Sequence, residues 1–207
     1  HPFSCLRLFS VERFSKLCKT LLRGDKHFAN DWVRERFPVS EQQRKMVVTE
    51  LDESLDSIHV DFPRSDSPQV SIIVPVFNQY RMTISCLKAI LENTATGNYE
   101  VLIADDCSSD ATTEIENQVS NITIIRASEN QGFLKNCNNA ARQAKGEFVI
   151  LLNNHTNVQP GWLEAMLKQF ELNPQAGLVG PKLLFEDGRL QEAGGIVWQD
   201  ASGWNFG

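Results

Sequence analysis

The chain has 207 residues, of which 42% are hydrophobic and 22% charged, enough for one globular domain and an additional segment. Its formal net charge of −6 disfavours nucleic acid as a partner, because phosphate backbones require a basic surface. No apolar run approaches the roughly 20 residues of a membrane-spanning helix, and the N-terminus does not resemble a signal peptide.

Residues 1–61 are predicted to form a helical extension. Between residues 40 and 60 the apolar positions recur at helical spacing, and Ser40 with Gln43 matches a capping box. The first 28 residues indicate an amphipathic helix with a basic side, for which a solvated face is favoured over a peripheral membrane contact. Residues 62–69, which contain prolines and serines, are predicted to be a linker.

The five cysteines are widely spaced and include no CxxC pair. This usage indicates a reducing, cytoplasmic compartment and argues against a disulfide framework or a zinc site. The chain begins with His1 rather than Met, and we expect it to be a piece of a longer protein.

From residue 69 the sequence alternates between short apolar runs and amphipathic segments. We predict strands near residues 69–78, 99–106, 122–128, 147–154 and 176–185, and helices near 80–93, 110–120, 132–146 and 160–174. This alternation predicts an α/β fold with a mainly parallel sheet flanked by helices. Such sheets bind ligands at the carboxyl ends of their strands, where this chain has polar residues: Asn78, Asp105, Asp106, Asn130, Asn153, Asn154 and His155.

Several common motifs are absent from the sequence. The turn after the first strand, "VPVFNQYR", lacks the GxGxxG pattern of dinucleotide-binding folds, and the chain contains no P-loop. It also contains no GxSxG nucleophile elbow. Hydride transfer, ATP hydrolysis and serine hydrolysis are therefore disfavoured.

Seven segments in order resemble the family-2 glycosyltransferases with the GT-A fold: "VSIIVPVFN", "VLIADDCSSDAT", "ENQGF", "AKGEFVILLNN", "PGWLEAM", "GLVGPKLLFEDGRLQEAGGIVW" and "GWNFG". Each segment alone is weak, since "DDCSSD" also suits a helix N-cap beside a turn. The similarity is greatest to the bacterial branch that builds O-antigen, including rhamnosyltransferase-like members. It implies a GT-A domain over residues 70–207.

The resemblance also implies an activity. Members of the family transfer a sugar, with inversion, from a nucleoside diphosphate sugar to a glycan or lipid-linked acceptor. We therefore expect a cytoplasmic enzyme, or one at the inner face of the cell membrane, that serves cell-surface polysaccharide synthesis.

Individual residues receive roles from the same resemblance. Phe77 would stack on the base, Pro75 would fix the turn, and Asn78 would lie in that turn beside the nucleotide. Asp106 would accept the N–H of a base, which suits uridine or deoxythymidine diphosphate. Asp105 would either serve the ribose or hold the loop.

Each of these roles has a structural alternative. Phe77 would then be a core residue, and Asp105 a helix cap. Asn130 and Gly132 match an N-x-G pattern near the nucleotide, although Gly132 also suits a tight turn. Asn154, at the end of the fourth strand, completes the predicted nucleotide contacts.

The segment "ILLNNHTNV" departs from the family pattern. The family normally has "LNNDT" here, and the aspartate binds the Mg²⁺ or Mn²⁺ that bridges the diphosphate. His155 occupies that position in this chain. Because Mg²⁺ prefers oxygen ligands and imidazole suits Mn²⁺ better, His155 is either a substituted metal ligand or a position where metal binding has been lost.

The general base of the family lies in an acceptor half that would follow residue 207. We therefore expect little sugar transfer by these residues alone. The alternative function is a catalytically inactive nucleotide-sugar-binding or interaction module.

Overall fold

The computed structural model describes residues 59–95, 97–197 and 203–205. These residues belong to two compact units that divide between Pro181 and Lys182. The helical extension predicted for residues 1–61 lies outside the described residues, except for residues 59–61.

A four-stranded parallel sheet forms the centre of the unit that ends at Pro181. Its strands are β2 (Val70–Val76), β3 (Tyr99–Asp105), β5 (Thr123–Arg126) and β6 (Phe148–Leu151), in the order β5-β3-β2-β6. All seven residues of β2 are buried, which explains the unbroken apolar run in the sequence. The predicted α/β class with a mainly parallel sheet is confirmed.

Helices cover both faces of this sheet. They are α1 (Tyr80–Asn93), α2 (Phe133–Ala141) and α3 (Trp162–Leu172). On one face Ile72 and Val74 pack in a core with Leu87 of α1 and Leu163 of α3, and on the other face Ile73 packs with Ala140 of α2. Among the described residues, no helix is long and apolar enough to cross a membrane.

The helix predicted near residues 110–120 is wrong in type and extent. Residues Ala111–Asn117 form a 3₁₀ helix, in which Glu114 departs from helical dihedrals (φ −116°, ψ 18°), and Val119–Ser120 then form strand β4. The apolar spacing of a short segment does not distinguish a 3₁₀ helix from an α-helix, because both place residues three apart on one side.

The strand predicted near residues 176–185 is much shorter in the structure. Only Leu183–Leu184 form a strand, β7, which pairs antiparallel with β8 (Leu190–Glu192) around a turn at Asp187 and Gly188, where Gly188 has φ +80°. Glycines at 177 and 180 and the missing N–H of Pro181 disfavour an extended ladder before residue 182. A second antiparallel pair joins β9 (Gly195–Val197) and β10 (Gly203–Asn205).

The boundary between extension and domain also differs from the prediction. Val60–Asp61 form strand β1, which pairs in parallel with β4, and Phe62 is only 2% exposed. The residues assigned to the end of a helix and the start of a linker are therefore part of the core. Burial of Val60 and Phe62 drives this packing, and β4 supplies the backbone partners.

Candidate functional site

Asn78 joins the two loops that leave β2 and β3 at the carboxyl edge. Its Oδ1 accepts hydrogen bonds from the N–H of Ser109 at 2.8 Å and of Asp110 at 3.3 Å, and its own N–H donates to Ser108 Oγ at 2.7 Å. Asn78 has φ +57°, a left-handed conformation that asparagine tolerates better than most residues. In the structure, then, Asn78 holds these two loops together.

Asp110, which the sequence did not single out for the site, caps two helices at once. Its Oδ1 accepts from Thr112 N at 3.0 Å, at the start of the 3₁₀ helix, and its Oδ2 accepts from Tyr80 N at 3.1 Å, at the start of α1. Burial tends to raise the pKa of Asp110, but the bonds from Thr112 and Tyr80 outweigh it and hold the pKa below its ordinary value. Its position at the end of "DDCSSD", just before a predicted helix, is the sequence feature that indicates a helix cap.

Asp105 is engaged by protein groups on both carboxylate oxygens. Oδ1 accepts from Ser108 N at 2.9 Å and Oδ2 from Arg126 Nε at 3.1 Å, and the residue is 1% exposed. Arg126 also pairs with Glu116 at 2.8 Å, and these two carboxylates raise the pKa of Arg126. Of the two roles expected for Asp105, these contacts support holding the loop.

Asp106 links the end of β3 to the loop before α2. Its N–H donates to Val76 O at 2.8 Å, while its carboxylate accepts from Gln131 N at 2.7 Å and Gly132 N at 2.9 Å. Gly132 has φ +79°, which explains a glycine at this turn, and its N–H also approaches Asn130 Oδ1 at 3.2 Å. The predicted residues Asp106, Asn130 and Gly132 thus lie together.

Phe77 and Pro75 lie at the end of β2 with different environments. Phe77 is 52% exposed, so it is not a core residue. Pro75 lies within β2, inside the strand predicted near residues 69–78, and its expected role in fixing the turn beside the nucleotide stays a prediction. Ile73 O accepts from Leu152 N on the β6 side of β2, and Val76 O accepts from Asp106 N on the β3 side. Because backbone groups alternate along a strand, the nitrogen of Pro75 faces the β6 side, past the last residue of β6. The missing N–H of Pro75 therefore leaves no ladder hydrogen bond unmade.

Asn154 and His155 form the turn after β6. Thr156 N donates to Asn153 O at 3.0 Å across this turn, and Asn154 Nδ2 donates to Thr83 Oγ1 of α1 at 3.0 Å. Beneath the turn, burial raises the pKa of the Cys86 thiol to about 12, and this thiol contacts Asn153 O at 3.7 Å. His155 is exposed.

The donor set around His155 does not fit a protein-only metal centre. Within the part of the chain that the structure describes, no three His, Cys, Asp or Glu side chains are grouped to hold a metal ion. One imidazole beside amide groups supplies no negative charge for a hard cation. A metal at this turn would need most of its ligands from phosphate and water.

This arrangement defines a parallel α/β domain with a polar site at the carboxyl ends of β2, β3, β5 and β6. The family described as Glycosyl transferase family 2 matches residues 71–198. The chain therefore belongs to glycosyl transferase family 2.

Related proteins agree with this membership. The O-antigen biosynthesis protein RfbC of Myxococcus xanthus is 33% identical over 67% of this chain and 11% of its own length. A GalNAc(5)-diNAcBac-PP-undecaprenol beta-1,3-glucosyltransferase of Campylobacter jejuni is 29% identical over 60% of this chain and 41% of its own length. The chain thus spans less than half the length of either relative.

A solved structure with a similar arrangement is the mannosyltransferase PcManGT of Pyrobaculum calidifontis in complex with GDP-Man and Mn²⁺. It is 23% identical, with a TM-score of 0.47, over 60% of this chain and 36% of that chain. Staphylococcus aureus TarS in complex with UDP is 22% identical, with a TM-score of 0.45, over 57% of this chain and 39% of that chain.

Proposed function

We propose that this chain binds a nucleoside diphosphate sugar at the carboxyl edge of its sheet, for inverting sugar transfer in cell-surface polysaccharide synthesis. The observation that carries the proposal is the position of Asp106. Two backbone N–H groups fix its carboxylate, and its own N–H bonds to the carbonyl of Val76, the residue before the exposed Phe77. Membership of glycosyl transferase family 2 supplies the reaction class.

The base is the part of the ligand that these residues are suited to recognise. An ionised carboxylate has about four lone-pair sites, and the bonds from Gln131 and Gly132 use two of those on Asp106. A remaining site accepts the ring N–H of uracil or thymine, while Phe77 stacks on the ring. A uridine or deoxythymidine diphosphate sugar is the proposed donor.

The diphosphate requires positive charge or oriented N–H groups. Helices α1 and α2 both begin at the carboxyl edge, and their first turns carry the exposed cations Arg81 and Lys135. The positive ends of the helix dipoles add to these charges. A divalent cation, if bound through His155, would neutralise charge that develops on the leaving diphosphate.

The acceptor is proposed to be a glycan or a lipid-linked glycan, and the reaction to take place in the cytoplasm or at the inner face of the membrane. These points rest on the family and on the relatives' names. A second function is a binding module without catalysis. The exposed His155 at the metal-ligand position favours it, since no group of three metal-ligating side chains occurs among the described residues.

Isothermal titration with uridine diphosphate tests the proposed site. In Asp106→Asn an amide N–H₂ can face the base N–H, where the carboxylate would accept it. This change should weaken binding of uridine diphosphate by about 1–3 kcal/mol. Asp66→Asn, the same change on an exposed bend, is the matched control. Affinity unchanged in Asp106→Asn would remove that residue from the site, and failure of the parent chain to bind any nucleoside diphosphate would contradict the function.

Release of nucleoside diphosphate from the donor distinguishes the transferase from the binding module. The parent chain is incubated with a nucleoside diphosphate sugar and a lipid-linked glycan, and free nucleoside diphosphate is measured. Turnover would support the transferase, whereas binding without turnover, in a chain extended to the length of its relatives, would support the binding module.

A further inference from the structure

Phe133 is an exposed aromatic residue at the candidate site, and none of the roles described so far involves it. It is 59% exposed, although it opens α2 directly after Gly132. An aromatic side chain beside a few convergent polar groups is a feature of ligand sites. Neither Phe133 nor Phe77 is in a ring–ring contact, whereas Phe62 pairs with Tyr99 and Phe148 with Phe170 among the described residues.

The helical position of Phe133 directs it towards the sheet. The buried residues of α2 are Asn136, Cys137 and Ala140, which define its inner side. Phe133 precedes them by three, four and seven residues, so it continues the same side of the helix. It is exposed because α2 begins beyond the carboxyl ends of the strands, where no sheet lies beneath it.

Phe77 directly follows β2, and the alternation of that strand predicts the face on which it lies. Ile73 packs against Ala140 on the face that α2 covers, whereas Val74 and Val76 pack on the opposite face. Continuing the alternation by two residues at a time carries this face from Ile73 through Pro75 to Phe77. We therefore expect both phenylalanines on one face and at one edge of the sheet.

Asp106 lies between the two positions. Its N–H bonds to the carbonyl of Val76, the residue before Phe77, at 2.8 Å. Its carboxylate bonds to the N–H of Gly132, the residue before Phe133, at 2.9 Å. The residue proposed to accept the base N–H is thus hydrogen-bonded to the chain neighbours of both exposed phenylalanines.

We infer that Phe133 forms the second aromatic wall of the base pocket, so that the base lies between Phe77 and Phe133 with its ring N–H on Asp106. This inference rests on the proposed function, and it adds a residue that contacts the base. A flat slot closed by two rings admits a heterocycle and excludes a bare sugar phosphate.

The test uses isothermal titration of uridine diphosphate and of inorganic pyrophosphate into the full chain and its variants. Phe133→Ala should weaken uridine diphosphate about tenfold, a loss typical of base–aromatic stacking, and leave pyrophosphate affinity unchanged. Phe133→Tyr should retain the affinity, and Phe133→Leu, which keeps apolar surface without a ring, should not. Leu134→Ala is the matched control, since Leu134 is 72% exposed and lies on another side of α2.

The outcomes separate this inference from the proposed function. If the parent chain binds uridine diphosphate and Phe133→Ala binds it as tightly as Leu134→Ala does, Phe133 is not a wall of the pocket although the function stands. If the parent chain binds no nucleoside diphosphate, the function itself fails. A second measurement uses the unmodified chain: the ring-proton resonances of Phe133 should shift with uridine diphosphate and not with pyrophosphate.

Discussion

Three carboxylates at the carboxyl edge have different partners, and their partners separate their roles. Asp105 is neutralised by Arg126, Asp110 accepts from two helix N-termini, and Asp106 accepts from a loop. Of the three, Asp106 accepts from neutral loop donors and bonds through its own N–H to Val76, the residue before the exposed Phe77. We therefore expect substitution of Asp105 or Asp110 to affect folding first, and substitution of Asp106 to affect the ligand.

The metal question concerns the single residue His155. In His155→Asp, uridine diphosphate should bind more tightly with Mg²⁺ than with chelator, and by a larger factor than in the parent chain. A carboxylate supplies the charge and the oxygen ligand that Mg²⁺ prefers, whereas an imidazole does not. Titration calorimetry with Mg²⁺, Mn²⁺ or chelator measures the factor.

Asn173→Asp, at the end of α3, adds the same charge away from the turn and controls for net charge. A parent chain as dependent on Mg²⁺ as His155→Asp would show that the histidine already supports metal binding.

Among the structural elements, the 3₁₀ helix and α1 share one cap. Asp110→Ala should lower the free energy of unfolding by about 0.5–2 kcal/mol for each lost cap. Because the folded-state pKa of Asp110 is lowered, its contribution is present above the ordinary carboxyl pKa and is lost as the pH falls through the folded value.

The difference in melting temperature between parent and Asp110→Ala should therefore be constant near pH 6 and shrink below about pH 4. Asp66→Ala, at an exposed position, serves as the reference. A difference that grows as the pH falls would show that the sign of the shift is wrong.

The loop between α2 and β6 packs tightly against the amino ends of β2 and β3. A Cβ on Gly146 would lie 2.6 Å from Ser71 N and 2.7 Å from the carbonyl carbon of Val70. Gly146→Ala should therefore cost about 1–3 kcal/mol in urea unfolding, because backbone must move. Gly97→Ala, with no atom within 4 Å of the added Cβ, should cost far less.

At the scale of the molecule, the segment before the parallel sheet contributes to its core. Phe62 is 2% exposed and packs edge-on against Tyr99, with ring centroids 6.3 Å apart. In the full chain, Phe62→Ala should lower the free energy of unfolding by about 3–5 kcal/mol. Leu172→Ala, at a position 62% exposed, is the control, and an equal effect of the two would place Phe62 outside the core.

The division into an extension over residues 1–61, a linker over 62–69 and a domain over 70–207 stays a prediction apart from its correction near residue 60. A two-residue strand such as β1 is too short to leave a periodic signal in the sequence. Its partner β4 also lies about 60 residues away along the chain. Pairing over that distance depends on the tertiary fold.

The sequence by itself determined the parallel α/β architecture and the candidate polar residues. Apolar runs and helical spacing are local patterns, and parallel strands necessarily bring their carboxyl ends to one edge. Only the tertiary structure decided which groups each candidate contacts. Asp106 meets Gly132 and Asp105 meets Arg126 across more than 20 residues. It also decided that Phe77 and Phe133 are exposed, because exposure depends on where the sheet ends beneath them.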